Sequence, residues 1–223
     1  MTMGRRAALM LAIAGATLVV AGAAAELVLV PRGLPRIFAT RDAVPPGMTQ
    51  AQLEELLARV GKSLRPELRS KLAGAVLIES ARAGYDPLFV LALVAVESSF
   101  RVSVSSDRGA AGLMQLKPST FAWIAAREPD IGGDELAVAE DPVVDVRLAV
   151  RYFHWLEKRF HSRDDALMAY NAGPRKLREY KRAEEIPASL REYPRRVMKE
   201  YRRFVRIVAG GADSNGVLLA RAN

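Results

Sequence analysis

Asp86-Pro87-Leu88-Phe89-Val90-Leu91-Ala92-Leu93-Val94-Ala95-Val96-Glu97-Ser98-Ser99-Phe100 is the stretch that decides the fold. Leu88 to Val96 is a nine-residue apolar run. Periodicity alone does not separate a buried strand from a buried helix over that length. Asp86 reads as an N-cap and Pro87 as a first-turn proline, where the missing N–H would be unpaired anyway. No hairpin partner flanks the run. The stretch is therefore expected to be a helix apolar all round, and so central. Glu97 ends it. A carboxylate after nine apolar residues is costly unless it is paired or protonated. Desolvation raises a carboxyl pKa, and a raised pKa makes a proton donor near neutral pH, as cleavage at a glycosidic oxygen requires. The competing structural reading is a satisfied buried carboxylate.

Working outward, the chain reads as helices. A helix is expected from about Thr49 to Val60, with Leu53, Leu56, Leu57 and Val60 on one face and Gly61 as its stop. Pro66 opens a second, with Leu68, Leu72, Val76 and either Ile78 or Glu79 inward and Gly84 as a left-handed end. Beyond the apolar run, Ser98 to Gly112 is small, polar and glycine-containing, hence a loop. Pro118-Ser119-Thr120 starts a helix through Ala126, and Pro129 to Glu140 is irregular. Asp141-Pro142 caps a helix to about Arg159, with Val146, Ala149, Val150, Phe153 and Leu156 inward. Asp164 is read as the cap of Asp165 to Ala172, ended by Gly173-Pro174. Helices over 175–180 and 194–209 complete the body, and 210–223 is read as a frayed tail. No strand alternation or internal repeat is present, and the expected class is all-α.

The N-terminus reads as an address. Arg5 and Arg6 precede an uncharged segment from Ala7 to Ala25, with Ala23-Ala24-Ala25 as a small-residue cleavage pattern. Apolar character resumes after Glu26, so 7–30 is also long enough to cross a bilayer once. Residues 1–30 are thus an export signal, either removed or retained as an anchor, and both readings put the body outside the cytoplasm. Residues 31–48 are proline-rich and read as a linker, leaving 49–209 as the one globular domain.

Composition narrows the chemistry. The 223-residue chain has no cysteine, which excludes disulfides, thiolate metal sites and a cysteine nucleophile. Two histidines cannot build a histidine-rich metal site. Net charge is +8, and Arg175 to Arg206 carries twelve Lys/Arg against five Glu. Such a surface suits an anionic partner or is a solvated helical face. No nucleic-acid recognition motif accompanies it.

Two further joints carry polar side chains suited to a site. In Ser106-Asp107-Arg108-Gly109-Ala110-Ala111-Gly112-Leu113-Met114-Gln115, small residues let the backbone pass close to a ligand or a helix. Gln115 offers donor and acceptor, and Met114 would suit a groove floor. In Ala169-Tyr170-Asn171-Ala172-Gly173-Pro174, a tyrosine before a sharp stop could aim its hydroxyl into a cleft. A tight loop and a core tyrosine are the structural alternatives.

Taken together, Glu97-Ser98-Ser99-Phe100, then Ser106 and Gly109-Ala110-Ala111-Gly112-Leu113-Met114-Gln115-Leu116 with Pro118, then Ala169-Tyr170-Asn171-Ala172-Gly173-Pro174, closely resemble the catalytic domain of soluble lytic transglycosylases. That domain is similar in fold to goose-type lysozyme, and the resemblance covers roughly Leu72 to Val208. It implies an enzyme acting on peptidoglycan in the periplasm, with no metal or organic cofactor. By the same resemblance Glu97 is the single catalytic acid/base. Ser106, Met114, Gln115, Tyr170 and Asn171 match positions that bind substrate or line the sugar groove, and Ser98 and Ser99 are structural. The implied reaction cleaves between N-acetylmuramic acid and N-acetylglucosamine and closes a 1,6-anhydro ring. A hydrolysing muramidase and a non-catalytic wall-binding module are the alternatives. The family often has Glu-Thr-Arg then Tyr-Val after an Ile-Pro. Here Ile186-Pro187 is followed by Ser189-Leu190-Arg191 and Tyr193-Pro194, so Ser189 replaces a supporting glutamate, with Glu184, Glu185 or Glu192 as candidate substitutes. Asp145 and Ala149 replace the usual Asn and Gly, and are read as changes of packing and capping.

Overall fold

A computed structural model describes residues 48–107, 109–131 and 141–220, with backbone alone for 211–220. The export or anchor segment and all of the linker but Met48 lie outside the described residues.

Eight α-helices are present among them: α1 Gln50–Val60, α2 Pro66–Ala83, α3 Pro87–Ser98, α4 Pro118–Ala125, α5 Pro142–Phe160, α6 Arg163–Ala172, α7 Pro174–Arg182 and α8 Ala188–Ala220. A single 3-10 turn covers Pro129–Ile131. The only extended pairings described are isolated bridges, Ser105 to Ala111 and Ala111 to Leu116. The expected all-α class is observed.

Capping chemistry sets most boundaries. Thr49 and Gln52 form a reciprocal capping box at α1. The Asp86 carboxylate accepts the Leu88 N–H at 2.8 Å, and the Asp141 carboxylate accepts the Val143 N–H at 2.8 Å. Gly84 ends α2 at φ 72°, the left-handed conformation that glycine adopts without strain.

α3 is the central element. Every residue from Leu88 to Val94 is buried. It packs most extensively on α8 and also on α2, while α2 lies on α5 and α5 on α6. The ambiguity between Ile78 and Glu79 resolves towards the acid. Glu79 is 1% exposed, whereas Ile78 is 66% exposed.

Glu79 is buried because it is paired. Arg151 on α5 grips it through Nη2 at 2.8 Å and Nε at 3.0 Å, and Arg147 Nε adds a contact at 3.2 Å. The same Arg151 reaches Glu128 at 2.7 Å and Asp130 at 2.7 Å, so one guanidinium ties α2, α5 and the 3-10 turn together. Its hydrogen bonds hold the Asp130 carboxyl well below the usual carboxylate range.

Three boundaries differ from the sequence expectation. The cap of α6 is Ser162, whose hydroxyl accepts the Asp165 N–H at 3.3 Å, while Asp164 sits in the first turn, where a negative charge meets the helix dipole. α7 runs from Pro174 to Arg182, longer than the expected 175–180. α8 starts six residues before Pro194, runs through it, and continues past Gly210 to Ala220, where a frayed tail was expected. Pro194 removes one N–H from the ladder. Burial outweighs that loss, because Leu190, Tyr193, Val197 and Phe204 are all buried and lie on one helical face on both sides of the proline.

Arg151→Ala leaves Glu79 buried without its main partner and is expected to cost about 3–5 kcal/mol in urea or thermal unfolding. The double change Arg151→Met with Glu79→Leu removes both charges and is expected to recover much of that loss. A loss under about 1 kcal/mol for the single variant would contradict this account of the pair.

Candidate active site

Glu97 occupies the last turn of α3, and the chain turns sharply after it. Ser99 and Phe100 adopt φ of 53° and 62°, left-handed values that break the helix at once. Ser98 is buried and its hydroxyl donates back to the Val94 carbonyl at 3.2 Å. Glu97 is thereby left facing a groove of about 340 Å³, also lined by Ser106, Gln115, Tyr152, Tyr170 and Asn171.

The Glu97 carboxyl is pushed up to about 7. Burial is the main cause. A hydrogen bond from the Tyr193 hydroxyl and the positive charge of Arg196 oppose it, and the charge of Asp145 adds to it. Tyr193 is 2% exposed on α8, so the contact is made from the protein side of the carboxyl. Burial beside Glu97 keeps the Tyr193 and Tyr170 phenols far above their ordinary range, so both stay neutral donors.

The opposite wall is the loop after α3. The Ser106 hydroxyl accepts the Ala110 N–H at 3.1 Å, and Ser106 N–H donates to the Ala110 carbonyl at 2.8 Å, which closes the loop on itself. Gln115 sits at φ 50° and donates both amide hydrogens to the loop, to the Val104 and Gly112 carbonyls at 2.9 Å each. Its carboxamide oxygen remains as an acceptor, so the expectation of a side chain offering both donor and acceptor is narrowed to the acceptor.

Met114 is placed differently from the groove floor expected of it. Its side chain is fully buried and does not line the groove. Its backbone does the positioning. Met114 N–H donates to Asp145 Oδ2 at 2.8 Å, and its carbonyl accepts the Tyr170 hydroxyl at 2.8 Å. Asp145, Met114 and Tyr170 thus form one chain of contacts from α5, through the loop, to α6. Asn171 lies beside Tyr170 on the groove and is exposed.

Asp145, expected only to alter packing and capping, also positions the loop beside the groove. It is 4% exposed and its carboxyl is raised to about 7 by burial, against the opposing hydrogen bonds of the Met114 and Leu113 N–H groups. Gly112 is packed against it: a Cβ there would lie 2.6 Å from Asp145 Oδ2, and Gly112 sits at φ 81°. A signal was present, since Asp145 falls three and four residues before Leu148 and Ala149, on the inward stripe of α5. Lys117, Thr120 and Tyr152 also line the groove and were not anticipated. Tyr152 stacks on Trp155 at 6.0 Å, and burial pushes its phenol up to about 12. None of the candidate replacements for the family glutamate bonds Glu97. Ser189, Glu184, Glu185 and Glu192 are all exposed, and Glu192 pairs with Arg195. Among the described residues no group of three or more His, Cys, Asp or Glu side chains could hold a metal ion.

A family model described as the Transglycosylase SLT domain matches residues 75–189, just over half of the chain. The chain belongs to that family. Among curated proteins, the endo-type membrane-bound lytic murein transglycosylase A of Klebsiella pneumoniae is 35% identical over 75 residues, which are 33% of this chain and 37% of that protein. Among solved structures, an inactive variant of the lytic transglycosylase Slt from Pseudomonas aeruginosa aligns with a TM-score of 0.54 at 21% identity, over 70% of this chain and 30% of that one. The 70 kDa soluble lytic transglycosylase of Escherichia coli aligns with a TM-score of 0.50 at 23% identity, over 72% of this chain and 30% of its own. The aligned regions thus span about a third of the length of these relatives, and the fold they share is the lysozyme-like SLT fold.

Asp145→Asn separates charge from shape. A carboxyl raised to about 7 in the folded protein, and near the ordinary aspartate value of about 3.9 when unfolded, favours folding at low pH, and that contribution is lost as pH rises towards and through about 7. The Asn variant is therefore expected to lose less stability between pH 4 and 8 than the parent, and to be the more stable of the two at pH 8. Thermal midpoints at both pH values test this, and parallel pH curves would refute it.

Proposed function

We propose that the chain is a lytic transglycosylase that cleaves the glycan strands of peptidoglycan, the activity carried in the names of its relatives. One observation supports this reading above the others. Glu97 is the only carboxylate among the described residues lining the groove, and a carboxyl pushed up to about 7 is a proton donor near neutral pH.

A single carboxylate suits a reaction that brings its own nucleophile. Protonated Glu97 donates to the oxygen between N-acetylmuramic acid and N-acetylglucosamine, and positive charge develops at the muramyl C1. The acetamido oxygen of the same sugar stabilises that charge, which removes the need for a second enzymatic carboxylate. Glu97, now ionised, accepts the proton of the muramyl C6 hydroxyl. That oxygen attacks C1 and closes the 1,6-anhydro ring. Attack within one sugar carries a large effective-molarity advantage over attack by water. Tyr193 keeps the carboxylate oriented in its ionised form, which is the form that the phenol's hydrogen bond favours.

Around this centre, Ser106, Gln115, Tyr170 and Asn171 line the sugar groove, and Met114 acts through its backbone by fixing Tyr170. The Gln115 oxygen is available to accept from a sugar hydroxyl or amide N–H. Residues 49–209 form the catalytic body, exported through 1–30 and carried on the 31–48 linker, with 210–223 as a C-terminal extension. Retention of 1–30 would hold the enzyme at the inner membrane, in line with the membrane-bound relative.

Digestion of purified sacculi tests the proposal. Wild type is expected to release fragments ending in a 1,6-anhydromuramyl group, one water lighter than hydrolytic products. Reducing, water-added fragments would establish a muramidase instead, and absence of any fragment would leave a wall-binding module. Glu97→Gln is expected to lose several decades of turnover and keep its binding to sacculi.

A pH profile provides a second test. The first step needs the protonated acid, so kcat/KM is expected to fall about tenfold per unit above pH 7. A flat profile from pH 6 to 9 would count against Glu97 as the acid.

A further inference from the structure

α8 sorts its charge to one side. Arg191, Arg195, Lys199, Arg202 and Arg206 are all exposed, and at about 100° of turn per residue they fall within an arc of about 80°. The buried residues of the same helix, Leu190, Tyr193, Val197 and Phe204, are centred about 170° away from that arc. The five cations therefore form a stripe that points directly away from the core. At about 1.5 Å of rise per residue the stripe is roughly 22 Å long.

A helix face that is merely solvated mixes its charges, and this one does not. Arg191 and Arg195, Arg195 and Lys199, and Arg202 and Arg206 are each four residues apart, a spacing at which like charges destabilise a helix. At the same spacing on α7, Arg175 faces Glu179 at 3.8 Å. The two acids within 188–206 lie off the arc. Glu192, at its edge, pairs with Arg195, and Glu200 is engaged by Arg203 at 2.7 Å. Among the described residues, no ion pair joins Arg191, Lys199, Arg202 or Arg206 to a carboxylate. The stripe also lacks an aromatic ring on which a nucleobase could stack.

We propose that this stripe is a membrane-docking surface, which lays α8 along a bilayer of anionic lipid headgroups. Shape favours a flat partner: the stripe is the crest of a convex helix, opposite the core, and all five long side chains can meet one plane together. Charge favours it, because headgroup phosphates relieve the repulsion that the five cations impose on one another along the helix. The stripe holds no apolar residue to insert, so the contact is electrostatic and lies at headgroup level. The proposal goes beyond cleavage at Glu97 and rests only on reading 1–30 as an export signal or anchor, which brings the chain to a membrane. A retained anchor would hold the stripe at high effective concentration over the same lipid through the 31–48 linker.

The chain has no cysteine, so Ala209→Cys, at an exposed position in line with the stripe, takes a single fluorophore. The labelled full chain is mixed with vesicles of phosphatidylcholine, with or without phosphatidylglycerol, that carry a quencher on their headgroups. At low salt, half-quenching is expected at about tenfold less lipid or better on the anionic vesicles, with the difference fading as salt rises. Changing all five cations to Gln should abolish that preference, and changing the four arginines to Lys should keep it. The Gln variant, freed of like-charge repulsion, is expected to unfold at no lower temperature than wild type, so its lost docking is not lost folding. Equal quenching on the two lipids, a Gln variant that still prefers the anionic one, or a Lys variant that does not, would overturn the proposal. So would a Gln variant whose loss appears in binding to sacculi or duplex DNA and not to vesicles. Glycan chains in solution, without vesicles, should be cut alike by wild type and the Gln variant. Wild type that docks on anionic lipid but cuts no glycan would uphold the stripe and overturn the reading of the groove.

Discussion

Taking a carboxylate out of water at the end of an apolar helix is the constraint from which the rest of this structure follows. Leu88 to Val94 drive α3 into the core, and Glu97 comes after them with no choice of depth. Its charge is disfavoured by burial and only partly recovered by Tyr193 and Arg196. A full ion pair would have returned the acid to its ordinary range and left it ionised at neutral pH. A neutral phenol orients the group without neutralising its proton affinity. The balance between burial and that one contact gives the carboxyl a titration near 7.

Three acids taken wholly or partly out of water, Glu79, Asp145 and Glu97, show how the partner decides the outcome. Glu79 meets two guanidinium groups and serves as a structural tie between helices. Asp145 meets only backbone N–H groups and holds a loop in place. Glu97 meets a phenol on one side and open space on the other. Burial is common to all, and the chemistry differs because the charge available to each differs.

Much of this was readable from residues alone. The cap at Asp86, the proline after it and the apolar run fixed α3 as a central helix, and the three polar joints converge on the groove as the pattern suggested. What was not readable depended on which atom of a residue is used. Met114 reads as a groove side chain, yet its amide and carbonyl carry the contacts while the thioether is buried. Asp145 looked like a capping change because its stripe position is visible but the approach of a distant loop is not. The passage of α8 through Pro194 was hidden for a similar reason: a local signal to break the helix is outweighed by burial of Leu190, Tyr193 and Val197 against elements far away in sequence.

The closeness of Gly112 to Asp145 also limits how this loop can diverge. With the carboxylate in place, any side chain at 112 meets an oxygen at less than contact distance and a backbone hostile to it. Exchange at 145 for a smaller residue removes the oxygen, whereas exchange at 112 before that meets it, and the left-handed φ strains any side chain at 112 in either case. The two positions are sterically ordered, and a descendant of this protein can leave the present arrangement by one door only.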